Sequence, residues 1–249
     1  MYPVLFRVGT FEVTSFGALV AIAALVGLWL FRRELNRAGL PPSTIDAGFA
    51  GIFGGLLGAK LWWTVEFFDT APYLALLLSR GGLSWFGGFT FGLAAGLLVL
   101  RLKRLPLIAV LSAAAPALAI GHGIGRIGCF LVGDDYGKVS DLPWAVAFPE
   151  GLPPTLDRVH PTQLYEAIPL FAIGGLLLTL RRQRTPDRRV FGTYLLLVGG
   201  TRFLVEFLRV NAQVAGPLTV AQLAALAALA VGLWLSLSAE SSTSQLTHH

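Results

Sequence analysis

TSFGALVAIAALVGLWLF, residues 14–31, is eighteen residues long and carries no charge. A bilayer core about 30 Å thick is crossed by roughly 20 apolar residues of helix, so the run reads as a membrane span. No cationic cluster precedes it and no small-residue cleavage box follows it, so it reads as a retained span rather than a removable signal peptide. Six further runs of this kind lie near 46–67, 85–100, 105–120, 162–180, 190–208 and 218–238. The chain is therefore expected to be an all-α, polytopic membrane protein with about seven transmembrane helices. Composition agrees. Of 249 residues 55% are apolar and only 13% charged, which excludes an ordinary water-soluble enzyme. The net charge of +5 is not gathered into one basic stripe, so nucleic acid is not expected as a partner.

The cations fix the expected orientation, because Lys and Arg in short connections stay on the cytoplasmic side. Arg32, Arg33 and Arg37 follow the first run; Arg101, Lys103 and Arg104 separate the third and fourth; Arg181, Arg182, Arg184, Arg188 and Arg189 separate the fifth and sixth. With seven spans all three clusters fall on one face. The N-terminus is then outside and the C-terminus cytoplasmic. Residues 1–238 are expected to form a single integral-membrane domain with an external loop near 121–161, and 239–249, ending in His248 and His249, a polar, disordered tail. The single cysteine, Cys129, excludes an internal disulfide, and no cluster of His, Cys, Asp or Glu has metal-ligand spacing, so neither metal nor organic cofactor is expected.

Several residues are costly in hydrocarbon. Arg202 lies inside the sixth run, followed by Glu206 and Arg209 at helical spacing, so all three can share one face. An arginine at the bilayer centre costs about 2.5–3.5 kcal/mol on insertion scales, so it should face a cavity, a partner or a bound anion. Two arginines against one carboxylate leave a positive charge in want of an anion. Gly51, Gly54, Gly55 and Gly58 offer a smooth face to another helix; Lys60, just beyond, must snorkel or meet a polar group. Gly121-His122-Gly123-Ile124-Gly125-Arg126-Ile127-Gly128-Cys129 continues through Gly133, Asp134, Asp135, Tyr136 and Gly137. Glycine density around one arginine suits an oxyanion approached by backbone N–H groups. His160-Pro161-Thr162-Gln163-Leu164-Tyr165-Glu166 opens the fifth run with proline at a helix start. Its histidine and carboxylate can take a proton, or else tie the loop ends together.

These motifs resemble the prolipoprotein diacylglyceryl transferases. Gly125-Arg126-Ile127-Gly128-Cys129-Phe130 with Gly133 and Gly137 is similar to the family's GR(I/L)G(N/C)F signature, and 160–166 to its HP(S/T)QLYE. Arg202-Phe203 through Glu206-Phe207 to Arg209 is similar to RFxxEFxR, and Leu218, Thr219 and Gln222 to LTxxQ. The resemblance implies an enzyme of the bacterial inner membrane that moves a diacylglyceryl group from phosphatidylglycerol onto the lipobox cysteine of a preprolipoprotein, releasing glycerol phosphate. It implies Arg126, Arg202, His160 and Glu206 as catalytic residues. It implies substrate contacts from Gly125, Gly128, Cys129, Asp134, Gly137, Gln163, Tyr165, Glu166, Phe86, Lys60 and Arg209. The chain departs from the family at Phe86, where a histidine is common, and at Val198, where a tyrosine often stands. Phenylalanine takes no proton, which leaves His160, Glu166, Asp134 or the arginine field to activate the thiol. The rival readings are a non-catalytic phospholipid-binding paralogue and a lipid or anion transporter.

Overall fold

The computed structural model describes residues 2–9, 11–79 and 82–244, and these are mostly helical. In chain order the elements are a hairpin of β1 (Val4–Val8) and β2 (Phe11–Thr14), α1 (Ser15–Arg37), α2 (Ile45–Glu66), the short α3 (Tyr73–Leu78), α4 (Trp85–Leu102) and α5 (Leu107–Val132). A hairpin of β3 (Val146–Phe148) and β4 (Thr155–Val159) precedes α6 (Thr162–Arg182) and α7 (Asp187–Glu206), and a third, β5 (Gln213–Ala215) with β6 (Leu218–Thr219), leads into α8 (Val220–Ser244). Each of the seven expected runs is a helix. Five, α1, α4, α5, α6 and α8, are long and apolar enough to cross a membrane. The other two, α2 and α7, are as long but diluted by glycine, tryptophan and charge.

Two expectations need correction. The loop placed at 121–161 starts later, because α5 runs on to Val132 and takes the glycine-rich stretch with it. Glycine weakens a helix chiefly where water competes for its backbone, and here the missing side chains admit neighbours instead. A Cβ on Gly123 would sit 3.1 Å from the Phe171 ring, and one on Gly128 3.3 Å from Phe16. The polar tail also begins later, since α8 extends through Ser244; His248 and His249 lie outside the described residues.

Contacts group the chain into two compact units, Met1–Leu30 with Leu111–His249, and Phe31–Val110. In the second, the glycine face of α2 packs on a matching face of α4: a Cβ on Gly55 would meet the Gly88 carbonyl at 3.2 Å, and one on Gly51 the Gly92 carbonyl at 3.6 Å. In the first, Ala115, Ala119, Ile173, Leu177 and Val190 join α5, α6 and α7 in one apolar core. Gly192 and Gly232 face each other across α7 and α8.

α1, α4 and α6 all end alike. Gly39, Arg104 and Arg184 each take a left-handed backbone, with φ of 67°, 52° and 57°. In each case the next residue's N–H reaches back five positions: Leu40 to Leu35, Leu105 to Leu100, Thr185 to Leu180, at 3.1, 2.9 and 3.1 Å. This is the Schellman arrangement, and Pro41, Pro106 and Pro186 follow it and stop the helix. These are the three basic connections. A left-handed arginine is strained where glycine is not, and Arg184 is exposed. Arg184→Gly is therefore expected to stabilise the protein by about 0.5–1 kcal/mol, read as a higher unfolding midpoint in detergent.

Candidate active site

The first unit gathers the costly charges at one end of α6 and α7. Arg126 projects from α5, Glu166 from the first turns of α6, Arg202 and Glu206 from the last turns of α7, and Arg209 from just past it. Glu166 takes Arg126 Nε on Oε2 and Arg202 Nη1 on Oε1, both at 2.6 Å. Arg202 Nη2 reaches Glu206 Oε2 at 2.7 Å, and Arg209 Nε approaches the same oxygen at 3.6 Å. Asp135 closes the circle, its Oδ1 2.6 Å from Arg209 Nη2 and its Oδ2 2.8 Å from Arg126 Nη1. Three guanidiniums and three carboxylates thus alternate in a closed ring.

That ring corrects the expected surplus of one positive charge. The surplus was counted on α7 and its end alone; Glu166 and Asp135 come from elsewhere in the chain and balance it. Glu166 and Glu206 are almost wholly buried, and a buried ionic network holds only when each member is paired. Glu206 is the most encumbered, because Thr219 Oγ1 and Asn211 Nδ2 also donate to its Oε1 at 2.7 and 2.8 Å. Thr219 in turn caps α8. Its Oγ1 accepts from the Gln222 N–H while its own N–H donates to Gln222 Oε1, a capping box.

The backbone cradle expected around Arg126 is absent, since α5 is helical there and its N–H groups are spent on helical bonds. Only the side chain of Arg126 addresses the site. Gly128 packs on Phe16, whereas beside Gly125 no heavy atom lies within 4 Å of where a Cβ would stand. Gly137 is required for close approach: its N–H donates to the His160 carbonyl at 2.9 Å, and a side chain would strike Thr162 and the Leu208 carbonyl.

The turn after α5 is pinned from below. Buried Gln163 donates to the Asp134 carbonyl at 2.5 Å, and Thr162 Oγ1 to the Asp135 carbonyl at 2.8 Å. Burial pushes the Asp134 carboxyl above the ordinary carboxylate range, with the Cys129 thiol beside it acting the other way. Burial opposes ionisation of Asp135 too, but Arg209 and Arg126 outweigh it and hold that carboxyl below the ordinary range. Although the sequence offers no ligand spacing, donor atoms of Cys129, Asp134 and Asp135 come within 4.8 Å of one another. Asp135 already serves two arginines there, whose charge repels a cation.

His160 stands outside the ring. Its Nδ1 lies 3.4 Å from the Tyr165 hydroxyl, which accepts a 2.7 Å bond from Trp144 Nε1 and has a second lone pair for the imidazole. Lys60 and Phe86 belong to the other unit. Lys60 Nζ donates to the Ser79 carbonyl and hydroxyl at 2.7 and 2.9 Å and lies 4.7 Å from the Trp63 ring centre; Phe86 is exposed beside Trp85. Asp135, Trp144 and Asn211 were not anticipated. Two adjacent acids in a glycine-flanked turn gave the only hint of Asp135, with nothing to say which of them faces the arginines.

Comparison with known proteins follows the same residues. The sequence profile of the prolipoprotein diacylglyceryl transferases matches residues 3–238. A phosphatidylglycerol–prolipoprotein diacylglyceryl transferase of Geobacter sulfurreducens is 33% identical over 248 residues, covering 94% of each chain. One from Methylobacillus flagellatus is 34% identical, covering 94% of this chain and 91% of its own. One from Clostridium tetani is 32% identical, covering 84% and 86%.

Proposed function

The chain belongs to the prolipoprotein diacylglyceryl transferase family, and from that premise we propose that it moves the diacylglyceryl group of phosphatidylglycerol onto a prolipoprotein cysteine. The thiolate of the lipobox cysteine attacks the glycerol carbon, an S–C bond forms as the C–O bond to phosphate breaks, and glycerol phosphate leaves. A phosphodiester with one negative charge becomes a monoester approaching two. A fixed cation beside it is therefore worth more in the transition state than in the ground state. The observation that carries this reading is that Arg126 and Arg202, 76 positions apart in the chain, are held on the two oxygens of Glu166.

We assign Arg126 and Arg202 to the developing phosphate charge, and Glu206 to positioning Arg202. A thiol has a pKa of about 8.5 and must lose its proton to react. With Phe86 unable to accept it, His160 is our candidate acceptor: Nδ1–H donating to the Tyr165 hydroxyl leaves Nε2 free to take the proton. Glu166, locked between two guanidiniums, fits that task less well. We further propose seven crossings of the bacterial inner membrane, α2 and α7 included, with the N-terminus outside. The support is the gathering of cations at the three Schellman turns.

Purified protein in phosphatidylglycerol vesicles is expected to release glycerol phosphate when given a lipobox peptide. Release no faster than in protein-free vesicles would overturn the transferase reading and favour the non-catalytic lipid-binding one.

A further inference from the structure

The three carboxylates of the ring are not equivalent. The Glu166 and Glu206 side chains are 2% and 0% exposed and project from helices, whereas that of Asp135 is 46% exposed and sits in a turn. Its backbone is left-handed, with φ of 60°, two residues after Gly133 at 71°. The main chain there is fixed by two bonds to the Asp135 carbonyl, from Thr162 Oγ1 and Arg209 Nη1, both at 2.8 Å. The carboxylate can consequently rotate away into solvent while the turn stays in place.

Its departure would free Nη1 of Arg126 and Nη2 of Arg209 and leave both side chains anchored. Arg126 keeps its 2.6 Å contact to Glu166, and Arg209 its 2.8 Å bond to the Asp135 carbonyl. Two anchored guanidinium donors converging where one carboxylate has left suit two oxygens of a phosphate. Arg209 also lines a cavity of about 350 Å³ with Lys138, Asn211 and Gln222.

We propose that Asp135 is an internal stand-in for the substrate phosphate: the phosphodiester anion enters by displacing its carboxylate and takes Arg126 Nη1 and Arg209 Nη2 as direct ligands, with Arg202 acting from behind Glu166. The chemistry of this exchange rests on the phospholipid reading above. Charge follows it closely. With Asp135 turned out the ring carries one net positive charge, which a diester neutralises; the dianionic product overfills the site, and the returning Asp135 carboxylate expels it. An internal competitor lowers the apparent affinity for phosphate by the fraction of time it holds the seat.

Asp135→Asn keeps the shape and removes the competing charge. In detergent-solubilised protein it is expected to bind glycerol phosphate about tenfold more tightly, by calorimetric titration or phosphorus line broadening, and to lower KM for phosphatidylglycerol more than it changes kcat. Equal or weaker binding, with an unfolding midpoint like that of the unmodified protein, overturns the exchange. A measurement on the unmodified chain decides the matter should the variant not fold. Glycerol phosphate should increase carbodiimide labelling of Asp135, read by mass spectrometry of the 133–138 peptide; unchanged or reduced labelling refutes displacement. Neither the binding titration nor the labelling needs turnover, so a positive result without transfer would uphold the exchange and defeat the transferase reading alone.

Discussion

Alanine at Arg126 is expected to slow glycerol phosphate release by about 10²- to 10³-fold, the usual cost of deleting one donor aimed at developing negative charge. Arg126 spans two carboxylates, Glu166 through Nε and Asp135 through Nη1, so its loss both removes a cation and leaves two anions under-compensated. Arg202→Ala should act comparably, stranding Glu166 and Glu206. Lysine separates charge from geometry. Arg126→Lys restores a cation without the planar fork that serves two partners at once, and should recover only part of the rate. Turnover in phosphatidylglycerol vesicles with a lipobox peptide, alongside the unfolding midpoint, reads both. An Arg126→Ala protein keeping more than a tenth of the rate with an unaltered midpoint would remove Arg126 from the chemistry.

Glu206→Ala is expected to cost stability first and activity in consequence, by about 3–5 kcal/mol, the range for breaking one side of a buried charge pair. Glu206 ties together Arg202, Arg209, Asn211 and Thr219, and through Thr219 the capped start of α8. Glu206→Gln keeps an oxygen for Thr219 and Asn211 but no longer neutralises Arg202, so its loss should be smaller. Denaturation in micelles gives the ranking, and hydrogen exchange at Thr219 and Gln222 tests the link to α8. Fast exchange there in the alanine variant and slow exchange in the glutamine variant are the expected pair of results.

The helices were legible because hydrocarbon leaves the backbone no partner but itself, which enforces long uncharged runs such as 14–31. The loop expected from residue 121 gives way to helix because the glycines there serve tight helix contacts, such as Gly123 against Phe171, rather than an exposed backbone. The three hairpins, with strands of two to five residues, are too short for an alternating pattern to stand out. Arg126, Glu166, Arg202, Glu206 and Arg209 declared themselves as ions within or beside greasy sequence. Their bookkeeping did not, because spacing along α7 reveals neighbours on one helix and is silent about Glu166 and Asp135 arriving from other elements. Trp144 was likewise hidden, since only folding of the loop brings its indole to Tyr165.

Arg184, at the left-handed turn between α6 and α7, lies midway between Glu166 and Arg202, eighteen residues from each. Glu166 lies sixteen residues before the end of α6 and Arg202 fifteen after the start of α7, rises of about 24 and 22 Å, so the turn acts as the zero mark of a ruler read at the far end of both helices. One residue inserted within α7 before Arg202 would advance it by about 1.5 Å and rotate it by about 100°, swinging Arg202 away from the carboxylate it shares with Arg126. The tolerance of α7 to changes in length is thus governed by a guanidinium near its far end.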